Sequence, residues 1–157
     1  NPEIRNTIMA MNQGESLIQE GQGVPGSLCS GWSGTGLAYI ASAAVMAELQ
    51  ISCPLEEILQ QAVEGSWEHG DHYCCGNSGR IDFLLEASMR LDRPHLLQEA
   101  QKRALGMMRR KEESSGYQIK GRDSRAISNP SFFQGLSGIG YTLLRCADPQ
   151  AISSVLI

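Results

Sequence analysis

The chain has 157 residues, 41% of them hydrophobic and 19% charged, which is enough for one domain with a core of its own. Its net charge of −4 gives no support for nucleic-acid binding beyond what a local basic cluster could offer, and it has no run of about 18 apolar residues to span a membrane. Five cysteines, an odd number without a secretory leader pattern, weigh against a disulfide framework and point to reduced thiols or metal in a cytoplasmic setting.

The chain opens on Asn1 rather than Met, as a processed or excised piece would. Residues 2 to 20 carry Ile4, Ile8, Met9, Met11, Leu17 and Ile18 at roughly helical spacing, with Gly14 dividing or ending the run. Gly21, Gly23, Pro25 and Gly26 form an irregular approach to Cys29. From about Thr35 to Gln50, Leu37, Ile40, Ala41, Ala44, Val45 and Leu49 predict an Ala-rich helix. Pro54 opens a helix through Leu55, Ile58, Leu59, Ala62 and Val63, which Gly65 stops. A loop rich in Trp, His, Asp and Gly covers 66 to 76. Asn77 then caps a helix holding Ile81, Phe83, Leu84, Leu85, Ala87 and Leu91. After Asp92-Arg93-Pro94, a helix runs from about His95 to Arg110, carrying Leu96, Leu97, Ala100, Ala104, Leu105 and Met108. A polar segment from Lys111 to Ser131 is long for a plain connector, so it is functional, mobile or braced by short strands. The last helix spans about Ser137 to Cys146 and ends at Asp148-Pro149. The expected fold class is all-α, in one domain over 1–157.

Three short segments share one pattern. Gly31-Trp32-Ser33-Gly34, Gly76-Asn77-Ser78-Gly79 and Gly135-Leu136-Ser137-Gly138 each open a helix, about 45 and 59 residues apart, the scale of a helical-hairpin repeat. Their glycines permit close backbone approach, and the serines can cap the helices they precede. Two positions before the first glycine stand Cys29, Cys74 and Phe133. In a repeat array such loops fall at one end, so Cys29 and Cys74 meet, with Cys75 one step further in.

Three thiols at one rim suit a single zinc ion, leaving a fourth position for water or a substrate thiol. With three thiolates the site carries a formal charge of about −1, which favours activating a thiol over activating water. Other readings stand beside this one. A cysteine before a helix often packs as a small apolar residue. Cys74 and Cys75 could form a strained vicinal disulfide and act in thiol redox chemistry. His69 or His72 could close a structural zinc site as fourth ligand. Cys53 and Cys146, at helix ends, read as core. Trp32 and Trp67 flank the cysteine loops as core caps or pocket walls. His95 reads as solvated, and Arg103, Arg109, Arg110 and Lys111 as a solvated helical face.

At Cys29-Ser30-Gly31, Cys74-Cys75-Gly76-Asn77-Ser78-Gly79 and Gly135-Leu136-Ser137-Gly138-Ile139-Gly140-Tyr141 the chain resembles the last three hairpin motifs of lanthionine synthetase C-like cyclases. With Arg80 and Ala147-Asp148-Pro149, the likeness is greatest to the carboxy-terminal part of class II lanthipeptide synthetases, and it covers the chain from about residue 25 onward. The resemblance implies helical-hairpin repeats forming about half of an (α/α)6 toroid, with Zn2+ held by Cys29, Cys74 and Cys75 at its mouth. It implies that a zinc-bound cysteine of a precursor peptide adds to dehydroalanine or dehydrobutyrine, closing a thioether ring, in a bifunctional enzyme with a dehydratase domain. The Cys-Cys form replaces the Cys-His of many relatives and matches a three-cysteine subgroup with relaxed substrate choice.

The chain also departs from the family pattern. The family's acid/base His and Asp lie on hairpins outside this chain, so no catalytic residue is assigned. Pro25 and Ser30 stand where relatives place an Arg and a bulkier or acid/base side chain. His72, Trp32 and Asn77 remain as residues around the metal or its pocket. The expected partners are the precursor peptide, the amino-terminal half of the toroid and the dehydratase domain. A second copy could instead cover the apolar faces that the missing half would bury. The fragment alone is expected to bind zinc better than it catalyses. A zinc-binding module that holds a peptide or small thiol without chemistry is the competing function.

Overall fold

The computed structural model describes residues 25–52, 54–66, 70–114, 116–119 and 129–157. The expected first helix, Cys53, Trp67, His69 and most of the polar segment after Ser114 lie outside these residues. Within them the secondary structure is entirely helical: α1 Trp32–Glu48, α2 Leu55–Glu64, α3 Asn77–Arg90, α4 Pro94–Glu113 and α5 Leu136–Ala147. α1 packs with α2 and α3 with α4 as hairpins, and α3 touches all four other helices.

α3 is central because its first twelve residues, Asn77 through Ser88, are all buried. Its apolar side meets a core of Leu37, Ile40, Ile58, Leu59, Leu96, Ala100, Met107 and Ile139. Gly36 sets the crossing with α1: a Cβ there would stand 2.5 Å from the Phe83 ring, so only glycine lets the two helices approach so closely.

All the polar residues of α3 except Arg90 are buried as well, and each charge has a partner. Arg145 of α5, fully buried, donates to the Asp82 and Glu86 carboxylates. Tyr73 Oη donates to Asp82 Oδ2 at 2.5 Å, and Arg145 Nε to the Ile152 carbonyl at 2.9 Å. Burial raises the Asp82 carboxyl above its ordinary range, against the pull of Arg145. A cleft of about 410 Å³ lies at the far end of α3, lined by Glu86, Arg90, Arg145 and Ile157 among others.

Several boundaries move from expectation. α1 begins three residues early, because Gly31 itself is the N-cap, and its second half leaves Ala41, Ala43, Ala44, Val45 and Ala47 exposed. Asn77 is not the cap of α3; Gly76 is, and Asn77 opens the helix. The repeat serines do not cap either. Ser78 Oγ donates to the Asp71 carbonyl at 2.5 Å and Ser137 Oγ to the Pro130 carbonyl, while Ser33 Oγ is buried without a partner among the described residues. Among the described part of the polar segment there is no strand. The Gln118 backbone instead pairs with Asp71, Asp71 N donating to Gln118 O at 2.6 Å and Gln118 N donating to the side-chain Asp71 Oδ2 at 2.9 Å. The basic side of α4 is solvated only in part: Arg109 and Lys111 are exposed as expected, whereas Arg103 and Arg110 are engaged. Arg103 is 5% exposed, pairs with Glu99 and donates to the Val63 and Gly65 carbonyls; Arg110 Nη2 donates to Asp71 Oδ1 at 2.8 Å. His95 is exposed and Cys146 is buried, as expected.

Candidate metal centre

The three Gly-x-Ser-Gly loops have one conformation. Gly31, Gly76 and Gly135 are extended N-caps with φ of −123°, −116° and −138°. Each next residue donates its N–H seven residues back: Trp32 to Pro25 O, Asn77 to Gly70 O and Leu136 to Asn129 O, at 2.8–2.9 Å. The second glycine of each loop lies against the carbonyl six residues before it. A Cβ on Gly34, Gly79 or Gly138 would come within 1.8, 2.2 or 2.1 Å of Leu28 O, Tyr73 O or Phe132 O.

The loops also interlock. The Leu28 side chain lies over Gly79, and the Tyr73 Cβ lies over Gly138. Two backbone hydrogen bonds cross between loops, Leu28 N to Cys74 O at 2.9 Å and Cys74 N to Phe133 O at 2.8 Å. This lacing puts all three loops on one rim and brings the cysteines together.

Cys29 Sγ lies 3.1 Å from Cys75 Sγ, and Cys75 Sγ 3.3 Å from Cys74 Sγ; all three sulfurs lie within 4.8 Å of one another. Sulfurs around one tetrahedral zinc, each about 2.3 Å from it, stand about 3.8 Å apart, so the two short pairs would have to spread by a few tenths of an ångström to admit the ion. All three are free thiols, so the vicinal disulfide is absent. The donor set fits zinc: soft sulfur, three ligands, and an exposed Cys29 on the open side.

Without an ion the three thiols are unlike one another. Hydrogen bonding from Cys75 lowers Cys29 to about 7, whereas burial and then Cys29 itself push Cys75 up to about 12; burial raises Cys74 too. One sulfur can hold negative charge cheaply and the other two cannot. A bound dication reverses this, because coordinated thiols lose their protons.

Beneath the sulfurs the Cys-Cys loop is tied down. His72, 4% exposed, accepts the Cys75 N–H on Nδ1 at 3.3 Å, which places its proton on Nε2. It supports the loop backbone rather than supplying a fourth ligand, and it is not part of the cluster that could hold an ion. Asn77 Nδ2 donates to Gly70 O at 2.9 Å and to Asp71 Oδ1 at 3.0 Å. Trp32 is 7% exposed, packs tilted against Phe83 and carries the Arg80 guanidinium 4.6 Å above its ring, so it is a core side chain rather than a pocket wall.

Tyr73, Asp71, Asp82 and Arg145 also belong to this support and were not foreseen. Tyr73 and Asp71 flank His72 in the sequence, which is a signal of sorts. The pairing of Asp82 with Arg145 leaves none, since it bridges 63 positions.

The family model described as lanthionine synthetase C-like protein matches residues 15–157. No curated protein and no solved structure matches the chain.

Proposed function

Because the chain belongs to the lanthionine synthetase C-like family, with the cyclase-type function that family carries, we propose that it is the zinc-bearing half of a cyclase toroid that closes thioether rings in a peptide. The observation that carries this is the convergence of Cys29, Cys74 and Cys75 Sγ from two different loops. A zinc ion held there supplies thiol acidification, so that a cysteine of the peptide is deprotonated near neutral pH yet still nucleophilic.

In the ring-closing step the cysteine sulfur bonds to Cβ of dehydroalanine or dehydrobutyrine. The π electrons move onto the adjoining carbonyl as an enolate, and a proton returns to Cα. One proton leaves the thiol and one is gained, so the peptide's mass is unchanged. The chain's own residues hold and orient. Cys29, Cys74 and Cys75 present the sulfurs, His72 fixes the Cys75 N–H, and Asn77 ties the loop to Gly70 and Asp71. The proton at Cα comes from a group outside the described residues. The enzyme we have in mind is a class II synthetase, whose dehydratase domain supplies the dehydrated peptide.

Metal analysis after expression in zinc-replete medium tests the site: one equivalent is expected in the parent and none in Cys74→Ala. Full retention by the variant refutes the ligand assignment. The full-length parent is then given a dehydrated peptide with one cysteine. Loss of the free thiol without change of mass supports cyclisation. A thiol that stays free, with zinc bound, leaves the site as a thiol-binding module without chemistry.

A further inference from the structure

The third loop carries phenylalanine where the other two carry metal-ligand candidates. Phe133 occupies the place of Cys29 and Cys74, two before the first glycine. Its carbonyl accepts the Cys74 N–H at 2.8 Å, a rung that sets neighbouring backbones about 5 Å apart. The side chain is 54% exposed, and it is the one exposed aromatic among the described residues. Its ring is nevertheless held, edge-on against Phe132 at 5.3 Å and against Tyr73 at 6.1 Å. From Asn129 to Gly135 the loop carries no charge. An exposed aromatic that is already immobilised makes a favourable contact point, because little rotamer freedom is lost when a ligand covers it.

We propose that Phe133 is a specificity-determining residue, an apolar shelf one backbone rung from Cys74 that takes the side chain flanking the reacting cysteine of the peptide. This rests on the reading of the sulfurs as a site for a substrate thiol. The shelf favours apolar flanking residues. It disfavours acidic ones, which would lose water against an uncharged loop next to a centre of formal charge about −1.

The zinc-loaded chain is titrated calorimetrically with acetyl-Leu-Cys-Leu-amide, acetyl-Asp-Cys-Asp-amide and N-acetylcysteamine. The Leu peptide is expected to bind about tenfold more tightly than the Asp peptide, the effect of covering roughly one aliphatic side chain. In Phe133→Ala the two peptides should fall within about twofold of each other, and in Phe133→Lys the order should reverse. A preference that survives in Phe133→Ala overturns the assignment of Phe133 and leaves the thiol site standing. If none of the three thiols binds the zinc-loaded chain, the site reading falls and the shelf with it.

Discussion

Replacing Arg145 by Met tests the buried charge network that ties α3 to α5 and, through Tyr73, to the cysteine loop. The parent guanidinium is fully buried and bonded to Asp82, Glu86 and the Ile152 carbonyl. Met fills similar volume but leaves two carboxylates buried without that counter-charge, with only the partly exposed Arg90 beside Glu86. Breaking a buried pair from one side costs about 3–5 kcal/mol. For a domain of this size that is roughly 6–20 °C in Tm, at about 2–4 °C per kcal/mol.

The cost should depend on pH with a definite sign. Burial raises the Asp82 carboxyl and Arg145 lowers it, so the variant's folded state holds its proton to higher pH than the parent's. Wherever the folded state binds more protons than the unfolded one, stability falls as pH rises. The gap between variant and parent should therefore be small near pH 4 and widen toward pH 8. Urea denaturation of both proteins across that range measures it. A gap that stays constant from pH 4 to pH 8, or a Tm change of under about 2 °C, would refute the idea that Arg145 neutralises buried carboxylates.

Further predictions concern the loops. Gly79→Ala puts a methyl 2.2 Å from the Tyr73 carbonyl, so it should unfold the rim or cost more than about 3 kcal/mol, read by thermal melting. Gly140→Ala, within α5 and facing open space, should instead stabilise by about 0.5–1 kcal/mol, because alanine suits a helix interior better. Tyr73→Phe removes the donor to buried Asp82 and should cost about 1–3 kcal/mol in urea denaturation. His72→Phe removes the acceptor of the Cys75 N–H; zinc affinity should fall roughly tenfold or more in chelator competition while the melting profile of the apo chain keeps its cooperativity.

Periodicity carried the helices well. Leu96, Leu97, Ala100 and Ala104 predict α4, and the observed helix extends the expected one by only a few residues at its ends. The threefold glycine pattern carried the site, since Cys29 and Cys74 fall at matching places in loops of one conformation. Both signals are local, and the rest was not legible for that reason. Apolar periodicity says nothing about Arg80, Asp82 and Glu86 on α3, yet all three are buried. Their partners are the Gly65 and Ser66 carbonyls for Arg80 and Arg145 for the two acids, on other elements. Arg103 looked solvated for the same reason, because its Val63 and Gly65 acceptors lie about 40 positions away. Asn77 and the serines have the residue types of caps. Asn77, Ser78 and Ser137 bond back across their own loops instead, because an extended glycine already occupies the cap position.

The short approach of Cys29 Sγ to Cys75 Sγ spans 46 positions of chain, and that gives a metal ion at this rim a mechanical effect apart from its chemistry. An ion shared by these two sulfurs closes a loop through α1 and α2 onto the start of α3. A permanent link over that length would remove about 4 kcal/mol of freedom from the unfolded chain. The ion thus works as a staple between two hairpins. On the proposed function, an incoming thiol would need only the open position and would leave the three closing contacts intact, so the rim would exchange substrates without loosening. Chelation should then lower the melting temperature as well as remove the metal.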